Sequence, residues 1–555
     1  MQVQTNKWLV YLLILVAALT FRLNVAHYLA NDDPDDGRGY EQLARNMLEQ
    51  HVFSIDKEPP YNPTLIRLPG YPLFLVGVYA LFGHGNNEAV RLVQALIDTA
   101  TCALIALIAF NWTSQPRRKH ATAIAAFILA AVCPFPTIYV ATILTETLTI
   151  FFMAALALAT TYALKAKTNK AAHAWWLAAG LAAVLAVLMR PDSGLFAAGA
   201  GLTLILVGLL EHRRSAEAKA SAHVWRQRLR HIFTRGLVFS SVFALVLTPW
   251  AWRNWRLFHV LQPLAPAHAE MPGEFVPHGY NLWLRTWLDD ARYIGPMLWD
   301  LDDKPIKLEA IPDRAFDSPE EKARVAALLE QYNHPPGSQT VEAGAKDNSE
   351  TADESDDEQA DTDEDESSDD ESSDDTDDQS DESDQPEHAD VEMTPAIDAG
   401  FAEIAHERIR RAPFRFYIWL PLKRACTLWF DTHSAYYPFG GELFPLSELD
   451  HSTHQQFWLP LFASLTWVYT LLGLAGAWCL WRDKEGAGWR WLTLAALLTL
   501  PRLIFLSTLE NPEPRYVVEI FPLLAALGGV AVGALSSKIK FKRLKFKSWP
   551  ARPDR

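Results

Sequence analysis

The stretch KAKTNKAAHAWWLAAGLAAVLAVLMRPDSG, residues 165–194, decides the architecture. It opens on a basic connection, with Lys165, Lys167 and Lys170. An apolar run over 173–189 follows, within the roughly 17–25 residues that cross a bilayer as a helix. The run ends on Arg190-Pro191-Asp192. Working outward, the same alternation recurs along the chain. Apolar runs cover about 8–29, 89–111, 121–140, 143–164, 173–189, 194–210, 236–253, 458–481, 488–508 and 515–535. Every second connection is basic: Arg117–Lys119, Lys165–Lys170, Arg213–Arg235, Arg482/Lys484/Arg490, and the tail from Lys538. The positive-inside rule makes those connections cytoplasmic. The expectation is an all-α integral membrane protein of about ten helices, both termini cytoplasmic, in the cell (inner) membrane.

Two connections are long, and both fall on the other side. The first, about 30–88, holds a helical pattern over Tyr40–Gln50, with Leu43 and Met47 four residues apart. Its apolar piece 71–83 is too short to span and reads as an interfacial helix. The second long connection, 254–457, separates an N-terminal membrane module, 1–253, from C-terminal helices, 458–535, and a basic tail, 536–555. Its ends, 274–300 and 413–445, are aromatic-rich and read as folded. Its middle, about 335–392, holds roughly two dozen acids and almost no apolar residues, so it reads as disordered. That segment alone makes the net charge −16. The four cysteines, Cys102, Cys133, Cys426 and Cys479, lie in or beside apolar runs and read as packing residues. Trp8–Leu29 lacks a small-residue cleavage site and reads as a retained span rather than a signal peptide.

Chemistry is therefore sought on the acidic side. Asp32, Asp33, Asp35 and Asp36 follow the first span. Such a cluster is read either as a solvated or calcium-binding loop, or as the source of a base. Asp36 is the candidate base, because the helix after it would hold it rigidly near the membrane surface. Glu146 opens the fourth span; it is either a carboxylate favoured at a helix start or a functional ionisable group at membrane depth. Arg67, Arg190, Arg253 and Arg515 collect where positive charge is normally sparse. One such arginine reads as snorkelling; several suit a phosphate at headgroup depth. No Gly-rich phosphate loop or metal-ligand spacing stands out, and nothing points to nucleic acid. No cofactor is assigned, and a divalent cation is left open. Outside the cytoplasm there is no nucleotide-sugar supply, so an activated donor would arrive in the lipid.

The motifs have an order: Asp36-x-x-x-Tyr40-x-x-Leu43-Ala44, Arg67-x-Pro69-Gly70-Tyr71-Pro72, Thr145-Glu146-Thr147, Arg190-Pro191, Pro249-Trp250-x-x-Arg253-Asn254, Gly279-Tyr280-Asn281-Leu282-Trp283, and Glu513-x-Arg515-Tyr516. This order resembles the bacterial GT-C membrane glycosyltransferases, in the branch related to protein O-mannosyltransferases and the lipid A aminoarabinose transferase. The resemblance covers the chain except the acidic insert, which is no part of the family pattern. It implies a polyprenyl-phosphate-linked sugar donor, an extracytoplasmic acceptor (protein, lipid or envelope glycan), and transfer with inversion. It implies Asp36 as base and Glu146 as second acid. The expected donor-side residues are Arg67, Tyr71, Arg190, Arg253, Asn254, Arg515 and Tyr516. The alternatives are a transporter or lipid flippase, which would want broken helices and charges near the midplane, and a non-catalytic envelope assembly protein.

Overall fold

A computed structural model describes residues 7–30, 35–214, 222–335, 391–431, 443, 449, 453–483 and 487–536. Among these the chain is all-helical: α1 Lys7–Tyr28, α2 Asp35–Glu49, α3 Gly70–Phe82, α4 Asn87–Trp112, α5 Lys119–Ala131, α6 Pro134–Thr137, α7 Glu146–Lys165, α8 Asn169–Met189, α9 Gly194–Arg214, α10 Ala222–Phe258, α11 His278–Arg285, α12 Pro319–Asn333, α13 Pro395–Arg411, α14 Leu420–Phe430, α15 Thr453–Trp481, α16 Gly488–Ser507 and α17 Phe521–Ser536. Nine of the described helical stretches are long and apolar enough to cross a membrane, or ten when a bent pair is counted as one span. The protein is thus a multi-pass membrane protein. Short helices form at both expected places in the first long connection, α2 and the apolar α3. The acidic insert falls almost wholly outside the described residues.

Two compact units form. The first holds residues 1–276, 289–291 and 413–555. In it α17 is the central post, packed on α4, α5 and α15. Its glycines permit close approach: a Cβ at Gly529 would meet Ala126 Cβ at 2.5 Å and Thr122 O at 2.8 Å. Small residues bring helix backbones together where lipid leaves no hydrophobic drive between them.

One expected span is not continuous. The run 121–140 breaks between α5 and α6, and the two arms bend by 49°. The cause is local. Pro134 and Pro136 begin the second arm, and Pro134 has no N–H to give the carbonyl four residues earlier. Arg22 of α1 fills the gap. Its Nη2 donates to Ala130 O at 3.2 Å and its Nη1 to Ala131 O at 3.0 Å. Its Nε donates to Asp98 Oδ2 at 2.7 Å, and Nη2 reaches Cys102 Sγ at 3.0 Å. In lipid every freed backbone group needs such a partner. The bent pair runs along α4 from Phe110 to Arg91. It starts where the His120 ring lies 5.4 Å from Phe110. It ends where Gln94 Nε2 donates to Val140 O (3.2 Å) and Thr142 O (2.8 Å). The span expected at 236–253 is also longer, since α10 begins at Ala222 and absorbs half of the basic run.

The second unit holds residues 277–288 and 292–412. Tyr280 and Trp283 of α11 pack on Phe401 of α13, each with ring centroids 5.0 Å away. Buried Arg408 is tied to Asp317 at 3.3 Å and to Glu321, which clamps α13 to the start of α12. The two edges of the acidic insert meet, with Glu392 N donating to Tyr332 O at 3.4 Å.

Candidate active site

Three chain segments of the first unit meet at Arg190: the start of α7, the corner after α8 and the 514–520 turn. The residue caps α8 in an extended conformation, so its side chain leaves the helix axis. Arg190 Nη1 donates to Glu146 Oε1 at 2.7 Å. Its Nε lies 3.5 Å from Asp192 Oδ1 and 3.6 Å from Glu519 Oε1. Its guanidinium carbon stands 4.9 Å above the Tyr516 ring. Burial works against the charge, but Asp192, Glu519 and Glu146 outweigh it and hold Arg190 well above its ordinary value. It stays a cation at any physiological pH.

A second guanidinium completes the network. Arg502 of α16 is fully buried, with Nη2 2.7 Å from Asp192 Oδ2 and 3.1 Å from Glu519 Oε1. Arg502 also donates to the carbonyl of Tyr516, at 3.3 Å from Nε and 3.0 Å from Nη2. That carbonyl belongs to the 3-10 turn Pro514–Ile520, which carries Arg515 and Tyr516. Arg515 Nε sits 2.8 Å from Glu513 Oε2, and its guanidinium carbon 5.3 Å from the Tyr516 ring. Buried charges persist when paired this closely, because removal from water costs several kcal/mol per ion.

Tyr71 joins from α3. Its hydroxyl donates to Gln94 Oε1 at 2.9 Å, and the Gln94 amide holds the 140–142 carbonyls just before Glu146. Arg91 Nε holds Ala141 O at 3.0 Å beside them. Burial pushes the Tyr71 phenol well above its ordinary value, so it remains a donor. The Tyr40 ring meets Tyr71 edge-on at 5.1 Å, and the Arg67 guanidinium carbon lies 5.8 Å from the Tyr40 centroid. Arg67, Tyr71, Glu146, Arg190, Arg515 and Tyr516 are therefore linked through α2, α3, α4, α7, α8 and the turn at 514–520.

Arg253 and Asn254 sit elsewhere. Arg253 Nη1 donates to Thr64 O at 2.7 Å and to Asn254 Oδ1 at 2.9 Å. Its guanidinium carbon lies 4.8 Å from the Trp250 ring and 5.3 Å from that of Phe53. Asn254 Nδ2 donates to Gln262 O at 2.8 Å. The pair braces the first long loop. Asp35 and Asp36 lie in the first turn of α2 by backbone; their side chains, like Asp32 and Asp33, lie outside the described residues.

Gln94, Asp192, Arg502 and Glu519 were not selected from the sequence. The available signal was an ionisable residue inside an apolar run, which holds for Arg502 and Glu519. Nothing local marks Gln94. Chemically, Glu146 has one oxygen fixed by Arg190 and the other, Oε2, buried without a hydrogen-bond partner. A carboxylate so placed can accept a bond from a ligand hydroxyl.

A family model described as dolichyl-phosphate-mannose-protein mannosyltransferase matches residues 62–225, under a third of the chain. The matched segment contains Arg67, Tyr71, Glu146 and Arg190. The match supports the resemblance read from the motifs, a GT-C membrane glycosyltransferase of the protein mannosyltransferase and aminoarabinose transferase superfamily. Among solved structures, the chain resembles ArnT from Cupriavidus metallidurans bound to undecaprenyl phosphate, at 15% identity over 95% of this chain and 78% of that one, with a TM-score of 0.34. The apo form of the same protein gives 15% identity, the same coverage and a TM-score of 0.29. No curated protein matches the chain.

Proposed function

We propose that the protein transfers a sugar from a polyprenyl-phosphate donor to an extracytoplasmic acceptor. The observation that carries this reading is the family match over the segment that holds Arg67, Tyr71, Glu146 and Arg190. Asp36, in the first turn of α2, is the base that deprotonates the acceptor. The acceptor oxygen or nitrogen attacks the anomeric carbon, and the bond to the lipid phosphate breaks with inversion. Arg190, Arg67 and Arg515 meet the departing phosphate as its charge develops. Arg190 engages its partners through Nη1 and Nε, which leaves Nη2 for a phosphate oxygen. Glu146 aims Arg190 and offers its second oxygen to a substrate hydroxyl. Tyr71 and Tyr516 give the site apolar, aromatic walls. Arg253 and Asn254 act by shaping the first loop.

The test is mass spectrometry of envelope glycans, lipids and glycoproteins in cells with and without the protein, followed by Asp36→Asn in the same cells. Loss of one sugar from one acceptor class is expected, and Asp36→Asn should reproduce it at normal protein level. A general base contributes about 10²–10⁴-fold in rate. Asn at Asp32, Asp33 or Asp35 should cost far less. An unchanged glycan profile on deletion would sink the proposal.

One observation favours a second reading. A broken span beside a buried Arg22–Asp98 pair is a transporter-like feature. Against it, the donors of Arg22 go to Asp98, Cys102, the Ala18 carbonyl of its own helix and the Ala130 and Ala131 carbonyls at the break, so the pair is tied into the break.

A further inference from the structure

The chain returns to the membrane bundle through a short helical piece, a π turn over Arg415–Trp419 followed by α14. Besides buried Arg424 and the Lys423–Asp289 pair, its side chains are mostly apolar. Leu420 and Leu428, eight residues apart, are buried with Arg424 between them. Leu428 packs on Leu506, Val517 and Ile520. The opposite face carries Phe414, Tyr417, Ile418, Trp419 and Leu422, which are 69%, 64%, 47%, 56% and 57% exposed. A helix on an aqueous surface places polar groups there, and a contiguous run of large apolar side chains marks an interaction site.

We infer that this face lies in the membrane–water boundary, with lipid as its partner, and so anchors the 514–520 turn at headgroup depth. Continuity with the lipid-facing wall of the bundle argues for lipid over any other occupant. The Phe430 ring stacks at 4.4 Å on Trp467, itself 52% exposed on α15. Trp429 Nε1 donates to Thr470 Oγ1 at 2.8 Å on the same helix. Ile504 and Phe505 of α16, near the contact with Leu428, are 63% and 44% exposed. The stripe thus extends an apolar belt already facing the bilayer. Its Tyr and Trp are the side chains that favour the interface, with an apolar ring and one polar atom. The same short helix buries Leu428 against the turn that holds Arg515 and Tyr516, so seating one face fixes the height of the other. The inference rests on the membrane reading and not on the proposed transfer reaction.

Site-directed spin labelling of the full chain in nanodiscs tests it. Cys426 and Cys479 are replaced by Ser, and labels are placed at Tyr417→Cys and Leu422→Cys. Leu474→Cys, 62% exposed on α15, is the lipid control, and exposed Glu403→Cys on α13 the aqueous one. Collisional broadening by oxygen should exceed that by a nickel chelate severalfold more at 417 and 422 than at 403. A nickel-dominated signal like that of 403 would overturn the inference. So would dipolar broadening at 417 that vanishes on dilution with unlabelled protein, since a second copy would then cover the face. If the cysteine variants do not insert, a phosphatidylethanolamine with a photoreactive acyl chain, used on the unsubstituted protein, should label the peptide over 414–422. Labelling of α15 without that peptide would equally defeat it.

Discussion

Arg22 shows how one side chain can decide whether a span is tolerated. It is buried completely, and its donors answer the two carbonyls left at the break before Pro134 as well as Asp98. Arg22→Met would leave buried Asp98 without its guanidinium partner and remove the side-chain donors from the Ala130 and Ala131 carbonyls. Removing one partner of a buried pair costs about 3–5 kcal/mol. We expect Arg22→Met to lower the melting temperature in detergent sharply and to reduce yield, and Arg22→Met with Asp98→Leu to recover part of the loss. A single variant as stable as the parent would show that the break is held by something else. Arg502 is the parallel case at the candidate site. Arg502→Met would leave Asp192 and Glu519 sharing Arg190 alone, at 3.5 and 3.6 Å, and release the carbonyl of Tyr516. Arg502→Lys keeps the charge but loses the fork, and Lys cannot span carboxylate and carbonyl together. The expected order is parent above Lys above Met, both in stability and in retention of polyprenyl phosphate by purified protein in nanodiscs. Equal retention in all three would remove Arg502 from the site. The sequence made Glu146 and Arg190 legible because each sits at a helix end beside a proline or a threonine pair. It hid Arg502 and Glu519 because a charge inside an apolar run declares a partner without naming it.

Among the elements, the spans were legible and the breaks were not. Length and apolarity are local and summed over many residues, so α1, α4, α7, α8, α9, α15 and α16 fall close to their expected limits. The break at 131–134 depends on whether another helix can satisfy the freed carbonyls, and that is a tertiary fact. The 3-10 turn Pro514–Ile520 likewise has its Tyr516 carbonyl held by Arg502 from another helix, a tertiary contact. The connections between elements carry one titratable latch. His268, after α10, lies 3.3 Å from Glu510, before the 514–520 turn. The hydrogen bond to Glu510 raises the His268 pKa, against the opposing effect of partial burial. A raised histidine contributes stability that is complete below its unfolded value of about 6.5. The contribution is lost as pH rises through the higher native value. The melting temperature of the parent minus that of His268→Gln should therefore be largest near pH 5.5–6 and shrink towards pH 8. A difference that grows with pH, or none at any pH, would show that the latch does not form.

At the scale of the whole molecule, the bent pair fixes the sidedness on which the proposed chemistry depends. The segment 119–140 begins beside Phe110 and ends beside Arg91 and Gln94, so it runs along α4 in the opposite direction. Counted as one crossing, it makes ten with the nine other candidate spans among the described residues. Ten crossings would return the chain to its starting side, which the positive-inside rule leads us to expect in the cytoplasm. On that expectation the start of α2, the loop before Glu146, the Arg190 corner and the 514–520 turn all face the other way, where the proposed lipid-linked donor would be reached. Had the segment been a re-entrant loop, Glu146 would lie on the opposite side from Tyr71, yet Gln94 bonds both Tyr71 and the 140–142 carbonyls. Reporter fusions check the count directly. A phosphatase active only outside the cytoplasm should be on after Gln50 and after Gly337, and off after Ala220 and after Arg555. The fusion at Thr168, between α7 and α8, is the discriminating one: ten crossings require it to be off. A phosphatase that is on at Thr168 and off at Gln50 would place the whole network on the cytoplasmic face, and the proposed donor would have to be abandoned with it.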